Sequence, residues 1–110
     1  MRVLVVDDDD VIGILVRRIL SREGVEVVVT DDGAAGVRAA AEIAPQLILV
    51  DSTMPGMTGA EVVEALAANP ATAAIPVVVM SADWEDETVG LRKPFSPTQL
   101  VELVRGYQPG

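Results

Sequence analysis

Short apolar runs that stop at polar or acidic residues alternate along this chain with segments whose apolar positions recur every three or four residues. The runs are Arg2–Val6, Val25–Val29, Gln46–Val50, Pro76–Met80 and Val89–Arg92. They are rich in Val, Ile and Leu and bounded by turn-forming residues, which predicts strands buried on both faces of a parallel sheet. Between them, Val11–Ser21 carries Val11, Leu15 and Ile19, with Ile12 and Val16, at helical spacing around Arg17-Arg18. Aspartates precede this helix and Gly24 suits its end. The alanine-rich stretch Ala34–Ile43 predicts a second helix, capped by Asp32 after the turn Asp31-Asp32-Gly33 and ended by Pro45. Ala60–Ala68, closed by Asn69-Pro70, predicts a third. Pro97 opens a last one, to about Arg105, with Ser96 as its cap. Strands and helices alternate from end to end, which indicates an α/β sheet with right-handed crossovers.

One connection breaks the pattern. Only the eight residues Ser81 to Thr88 separate Met80 from Val89. A parallel crossover usually takes a dozen or more residues, commonly a helix. Asp83-Trp84-Glu85-Asp86-Glu87-Thr88 has room for one helical turn at most. Either the crossover is a bare loop or the fifth strand pairs in an unusual way.

Composition narrows the chemistry. A length of 110 residues suits one domain, residues 1–110, with no linker, repeat or low-complexity tract. The chain has no cysteine and no histidine. That excludes disulfides, thiolate or histidine metal sites and histidine base catalysis. Any metal must be held by oxygen, which favours Mg²⁺, Mn²⁺ or Ca²⁺. The net charge of −9, seven scattered arginines and a single lysine, Lys93, argue against a nucleic-acid surface. No run approaches the ~20 apolar residues of a membrane span, and no signal-peptide pattern opens the chain. The expectation is a soluble cytoplasmic protein with no membrane contact.

In open parallel sheets, ligands bind beyond the carboxyl ends of the strands. Parallel pairing of the first, third, fourth and fifth strands gathers Asp7 and Asp8, Asp51, Ser81 and Lys93 at one edge. Two unit charges ~4 Å apart interact by roughly 4 kcal/mol at an effective dielectric near 20. Three carboxylates together therefore call for a cation. Mg²⁺ suits a few carboxylates, a backbone carbonyl and several waters. With Lys93 it would attract a phosphoryl group, to which Ser81 can donate a hydrogen bond, and a carboxylate such as Asp51 can act as the nucleophile.

These residues carry a resemblance. Over essentially its whole length the chain resembles the receiver domain of two-component response regulators. Val5-Val6-Asp7-Asp8 resembles the family's acidic pair. Asp51 with Met54-Pro55-Gly56-Met57-Thr58-Gly59 resembles the phosphoacceptor and its loop. Ser81-Ala82 resembles the switch hydroxyl position, and Lys93-Pro94-Phe95 the lysine followed by proline. Each motif alone is weak, and together, in order and at predicted strand ends, they are specific. The resemblance implies a doubly wound, flavodoxin-like, five-stranded parallel sheet of order 2-1-3-4-5, here with the helix between strands 4 and 5 shortened or absent. It implies that Asp51 takes phosphate in line from a phosphohistidine on a sensor histidine kinase or a phosphotransfer protein. Asp8 would ligate Mg²⁺ directly, Asp7 through water, and the Thr53 carbonyl would complete the protein ligands with Asp51. Lys93, Ser81 and the Ala82 N–H would hold the phosphoryl oxygens, and Thr53 and Asp83 would tune the phosphate's lifetime. The chain would be a bacterial stand-alone switch or relay carrier, with no output domain in this chain and no enzymatic role beyond its own phosphorylation and slow dephosphorylation.

Two departures concern how a signal leaves the site. The connection after Ser81 is roughly ten residues short of a usual crossover helix. The position three before the lysine, usually aromatic or histidine, is Gly90. A bare apolar surface in place of the missing helix would be covered by a partner or a second copy of the chain. Trp84 would cover that gap or mark the contact.

Two other readings stay open on sequence alone. Asp7-x-Asp9 after a strand also resembles the first motif of haloacid-dehalogenase-type phosphatases, with Ser81 and Lys93 as their later motifs. That reading lacks the acidic ligands expected after the lysine, where only Glu102 is present, and leaves Asp51 unexplained. A degenerate receiver, binding partners without phosphate, is the other. In isolation Asp7 to Asp10 would be a solvated helix-capping turn, Ser81 a turn residue and Lys93 a surface lysine. Met54 and Met57 read as packing residues, and Arg17-Arg18 and Glu85-Asp86-Glu87 as solvated faces.

Overall fold

The computed structural model describes residues 1–83 and 85–108. Trp84, and with it the expectation attached to that residue, lies outside them. The apolar runs form β1 (Arg2–Val6), β2 (Glu26–Thr30), β3 (Leu47–Asp51), β4 (Val77–Ser81) and β5 (Val89–Arg92). The periodic segments form α1 (Asp10–Ser21), α2 (Gly33–Ile43), α3 (Gly59–Ala68) and α4 (Pro97–Arg105). All strand pairs are parallel and the sheet order is β2-β1-β3-β4-β5. β2, β3 and β4 each end one residue later than the apolar pattern implies. Ladder-type bonds carry on at their ends: Asp7 N–H donates to Thr30 O, Ser52 N–H to Met80 O and Lys93 N–H to Ser81 O. The polar residues Thr30, Asp51 and Ser81 are therefore the last strand residues rather than the first loop residues.

Alternate side chains of the central strands feed two cores. On one face Val3, Val5, Leu47, Leu49, Val78, Met80 and Leu91 pack with Val16 and Leu20 of α1 and Leu100 and Val104 of α4. On the other, Leu4, Val6, Ile48 and Val50 pack with Ala40 of α2 and Val62 and Leu66 of α3. Every residue of β3 is buried. At about 1.5–3 kcal/mol for each large apolar side chain buried, this strand is the mechanical anchor of the sheet.

The helices start where side chains cap them. Asp9 Oδ1 accepts from Val11 N–H and Asp32 Oδ1 from Ala35 N–H. Thr58 and Ser96 open α3 and α4 with reciprocal capping boxes to Glu61 and Gln99. In α1 the buried positions are Gly13, Val16 and Leu20, with Ile12 and Ile19 half-buried. Val11 and Leu15, expected in the core stripe, are exposed together with Ile14. The helix has more apolar residues than its buried face can hold.

No helix joins β4 to β5 among the described residues. The connection is a loop, and β5 pairs parallel to β4 with a register shift: Val79 faces Val89 but Met80 faces Leu91, leaving Gly90 as the extra residue of a bulge. On the sheet face where a crossover helix would lie, Ile75, Val77 and Val79 are half-buried. The strongly exposed large hydrophobics among the described residues are Val11, Ile14, Leu15 and Tyr107. Among the described residues, Ile75, Val77 and Val79 on the face beside β4 are half-buried rather than bare, because they pack against the α2–α3 core.

Candidate functional site

The ends of β1 and β3 bring the acidic groups together. Asp7, just past β1, is 1% exposed. Its Oδ1 accepts from Asp9 N–H at 2.9 Å and its Oδ2 from Lys93 Nζ at 2.7 Å. Asp8, next in the chain, faces solvent. Asp51 ends β3 and is buried, with Lys93 Nζ 3.4 Å from its Oδ1. Asp7, Asp8 and Asp51 each offer a carboxylate oxygen within 4.8 Å of the others. Such an oxygen-only set fits a hard divalent cation and no softer one.

Burial, and then the charge of Asp7, raise the Asp51 carboxyl above its ordinary value of 3.8, against the pull of Lys93 and a hydrogen bond from the Thr53 N–H. Burial pulls the Lys93 ammonium down, but its hydrogen bond and charge pairing with Asp7, and then with Asp51, more than reverse this, and its pKa ends above 10.5. Lys93 is therefore a fixed positive charge shared between the two buried aspartates, closer to Asp7 than to Asp51.

The loop after Asp51 is set by close backbone approach. A Cβ at Gly59 would run into the Asp51 carbonyl oxygen and lie 2.8 Å from Ser52 Cα. Glycine lets the first turn of α3 sit directly on the end of β3, and Gly59 N–H donates to Ser52 O at 3.1 Å. Thr53 is exposed, with its hydroxyl 3.4 Å from Ser52 Oγ, and Met54 is buried as a packing residue.

Ser81 ends β4 and is 4% exposed. Its Oγ accepts from Asp83 N–H at 3.0 Å, and its carbonyl accepts from Lys93 N–H at 2.9 Å, so the hydroxyl and the lysine leave adjacent strand ends side by side. Ala82 and Asp83 follow, both exposed. The Lys93–Pro94 peptide is cis. Asp9 does not join the site through its carboxylate, which is taken up by the Val11 N–H at the start of α1. That removes the second acid the phosphatase reading requires.

Sequence reasoning misses Arg92. Its Nη1 donates to Asp83 O at 2.6 Å and its Nη2 to Asp86 O at 3.2 Å. These two acceptors are main-chain carbonyls, which have no side-chain signature, so an arginine beside a lysine reads as a solvated charge. At Gly90 a Cβ would lie 2.7 Å from Val78 Cγ1. The bulge leaves no room there for the aromatic or histidine side chain usual at this position.

With this geometry in view, a model of the response regulator receiver domain family matches residues 3–105. The chain belongs to that family. This receiver domain is 36% identical over 114 residues to the DNA-binding response regulator MtrA of Mycobacterium tuberculosis, covering 94% of this chain and 49% of the relative. It is 39% identical over 114 residues to the transcriptional regulatory protein PrrA of the same species, covering 94% and 48%. The chain thus spans about half the length of the curated relatives it matches. Among solved structures it is similar to the chemotaxis response regulator CheY4 of Vibrio cholerae, with a TM-score of 0.87 at 28% identity, covering 97% of this chain and 98% of the other. The alignments to MtrA and PrrA run over 114 positions but use 94% of 110 residues, about 103, so about 11 positions have no counterpart in this receiver domain.

Proposed function

We propose that this receiver domain accepts a phosphoryl group on Asp51 from a phosphohistidine of a sensor histidine kinase or phosphotransfer protein. One observation carries the reading: three carboxylates converge within 4.8 Å while the chain's single lysine is shared between Asp7 and Asp51. An Asp51 oxygen attacks phosphorus in line as the phosphorus–nitrogen bond of the donor breaks, and the imidazole leaves. Lys93, freed from the Asp51 oxygen by the new acyl phosphate (mixed anhydride) bond, pairs with a phosphoryl oxygen. Ser81 Oγ and the Ala82 N–H donate to the others. The contribution of the chain is positioning and charge compensation. A divalent cation, Mg²⁺ or alternatively Mn²⁺ or Ca²⁺, would be held by Asp7, Asp8, Asp51 and the Thr53 carbonyl, and would neutralise charge on the transferred group. Thr53 and Asp83 would tune the lifetime of the phosphoryl group. Chemistry beyond this self-phosphorylation and slow hydrolysis is not part of the reading.

For the donor, α1 offers a surface. Val11, Ile14 and Leu15 are exposed next to the acidic site and line, with Arg18, a groove of about 260 Å³. No helix among the described residues is long and apolar enough to cross a membrane. Incubation with Mg²⁺ and a small acyl phosphate is expected to add one phosphate by mass, and Asp51→Asn to abolish it. Labelling of Asp51→Asn at the wild-type rate would remove Asp51 from the scheme.

A further inference from the structure

We propose that Arg92 is a positioning residue for the Ser81 hydroxyl, acting through the short crossover. This rests on the reading of Asp51 as phosphoacceptor and names how one part of that site is held. Arg92 is the register partner of Ser81 in the β4–β5 ladder, so its backbone is anchored at the same strand end as the hydroxyl. Its guanidinium then turns back across the loop to the carbonyls of Asp83 and Asp86. The Asp83 residue is gripped from both sides: its carbonyl by Arg92, its N–H by Ser81 Oγ, and its carboxylate accepts from Glu85 N–H at 2.9 Å. Asp86 is braced in turn by Thr88, whose N–H and hydroxyl donate to it at 2.9 and 2.6 Å.

The direction of the Ser81 bond gives this grip its purpose. A serine hydroxyl has one proton to donate and lone pairs to accept with. Here the oxygen accepts from the Asp83 N–H at 3.0 Å, a bond that does not use the hydroxyl's own proton. The loop thus fixes the oxygen while leaving the proton free for an anion seated on Asp51. Among the described residues no helix holds this connection, and the two bonds from Arg92 tie its local turns to the end of β5. The same chain of bonds runs outward. A phosphoryl oxygen that accepts a hydrogen bond from Ser81 Oγ polarises that oxygen and strengthens its bond to the Asp83 N–H, which tightens the hold on Asp83. The crossover then reports occupancy of the site although Gly90 leaves no room for a rotating side chain.

The test is a double-mutant cycle on the rate at which a small acyl phosphate labels Asp51 in the presence of Mg²⁺. Arg92→Met is expected to slow labelling by about threefold to tenfold, the range one net hydrogen bond supports. In a Ser81→Ala background the same change is expected to have no further effect, because the hydroxyl it positions is gone. An equal loss in both backgrounds overturns the proposal, since it would mean that Arg92 acts by its charge or by general stability. Should Arg92→Met not fold, Arg92→Gln reads the same cycle. Amide exchange gives an independent reading. The Asp83 amide is expected to exchange faster in the Arg92 variant while β1 and β3 amides keep their rates, and unchanged Asp83 exchange overturns the proposal. Absence of any labelling in the wild-type chain would instead defeat the phosphoacceptor reading on which this one rests.

Discussion

Asp7 has both carboxylate oxygens engaged, one by its own turn and one by Lys93, whereas Asp51 is held in part by a lysine that prefers its neighbour. The strain of the site therefore falls on Asp51. Burial and the charge of Asp7 raise its folded-state pKa above 3.8. A raised pKa means that the fold favours the protonated acid, so this group's stabilising contribution is complete below about pH 3.8 and is lost as pH rises through the folded value. In metal-free buffer at neutral pH, Asp51→Asn is accordingly expected to raise the melting temperature. Lys93 keeps Asp7 at 2.7 Å, so the substitution leaves no orphaned cation. The gain should shrink as pH falls towards 4 and vanish below. A melting temperature equal to or below wild type at pH 7 would contradict this account. At this scale Asp7, Asp8, Asp51, Ser81 and Lys93 are legible in the sequence because each stands at or just beyond the end of an apolar run, where the sheet converges them. Arg92 is not legible, because its role depends on which carbonyls a loop happens to present.

Among the elements, α1 departs furthest from its sequence pattern. Seven of its twelve residues, Val11, Ile12, Ile14, Leu15, Val16, Ile19 and Leu20, are apolar, and helical spacing alone does not say which of them face the sheet. The structure turns Gly13, Val16 and Leu20 inward, and a Cβ at Gly13 would lie 2.7 Å from Val29 Cγ1, so the helix axis lies close to β2 along that line. Val11 and Ile14, 69% and 57% exposed, are left beside the acidic site. Ile14→Asp is expected to slow phosphotransfer from a protein phosphodonor about tenfold, the effect of roughly 1.4 kcal/mol at an interface. Labelling by a small acyl phosphate should stay unchanged, since Ile14 touches none of the acidic groups. Equal slowing with both donors would place the effect in the fold rather than in docking. The starts of α2 and α4 are legible because their caps are: Asp32 and Ser96 accept from N–H groups in the first turn they precede, whereas the Thr58 cap of α3 is seen only in the structure.

Across the whole molecule, strand order and layering follow from alternation of element types, and the one misfit in that alternation, Ser81 to Thr88, is where the structure lacks a helix among its described residues. The bulge at Gly90 is not legible, since nothing in Val89-Gly90-Leu91 states its register against β4. The acidic cluster couples the fold to its cation. A ligand that binds only the folded chain, at ~100 times its dissociation constant, adds roughly 2.7 kcal/mol. Mg²⁺ should therefore raise the melting temperature, and Asp8→Asn should reduce that rise. No shift up to tens of millimolar would count against the cluster as a metal site. The short crossover also alters the order in which the sheet can assemble. Parallel strands are ordinarily slow to meet, because a long intervening chain must be closed before their contacts repay it. Here Val79 and Val89 pair directly across a short connection. That turns a distant pairing into a local one, comparable to a loop that closes in about 10–100 ns. β4 and β5 should then be among the earliest partners in folding. Leu91→Ala should chiefly slow refolding, with little change in the unfolding rate, in stopped-flow measurements. An accelerated unfolding arm with an unchanged refolding arm would show that the edge strand joins last. A connection without a helix would in that case shorten the path to the native sheet as well.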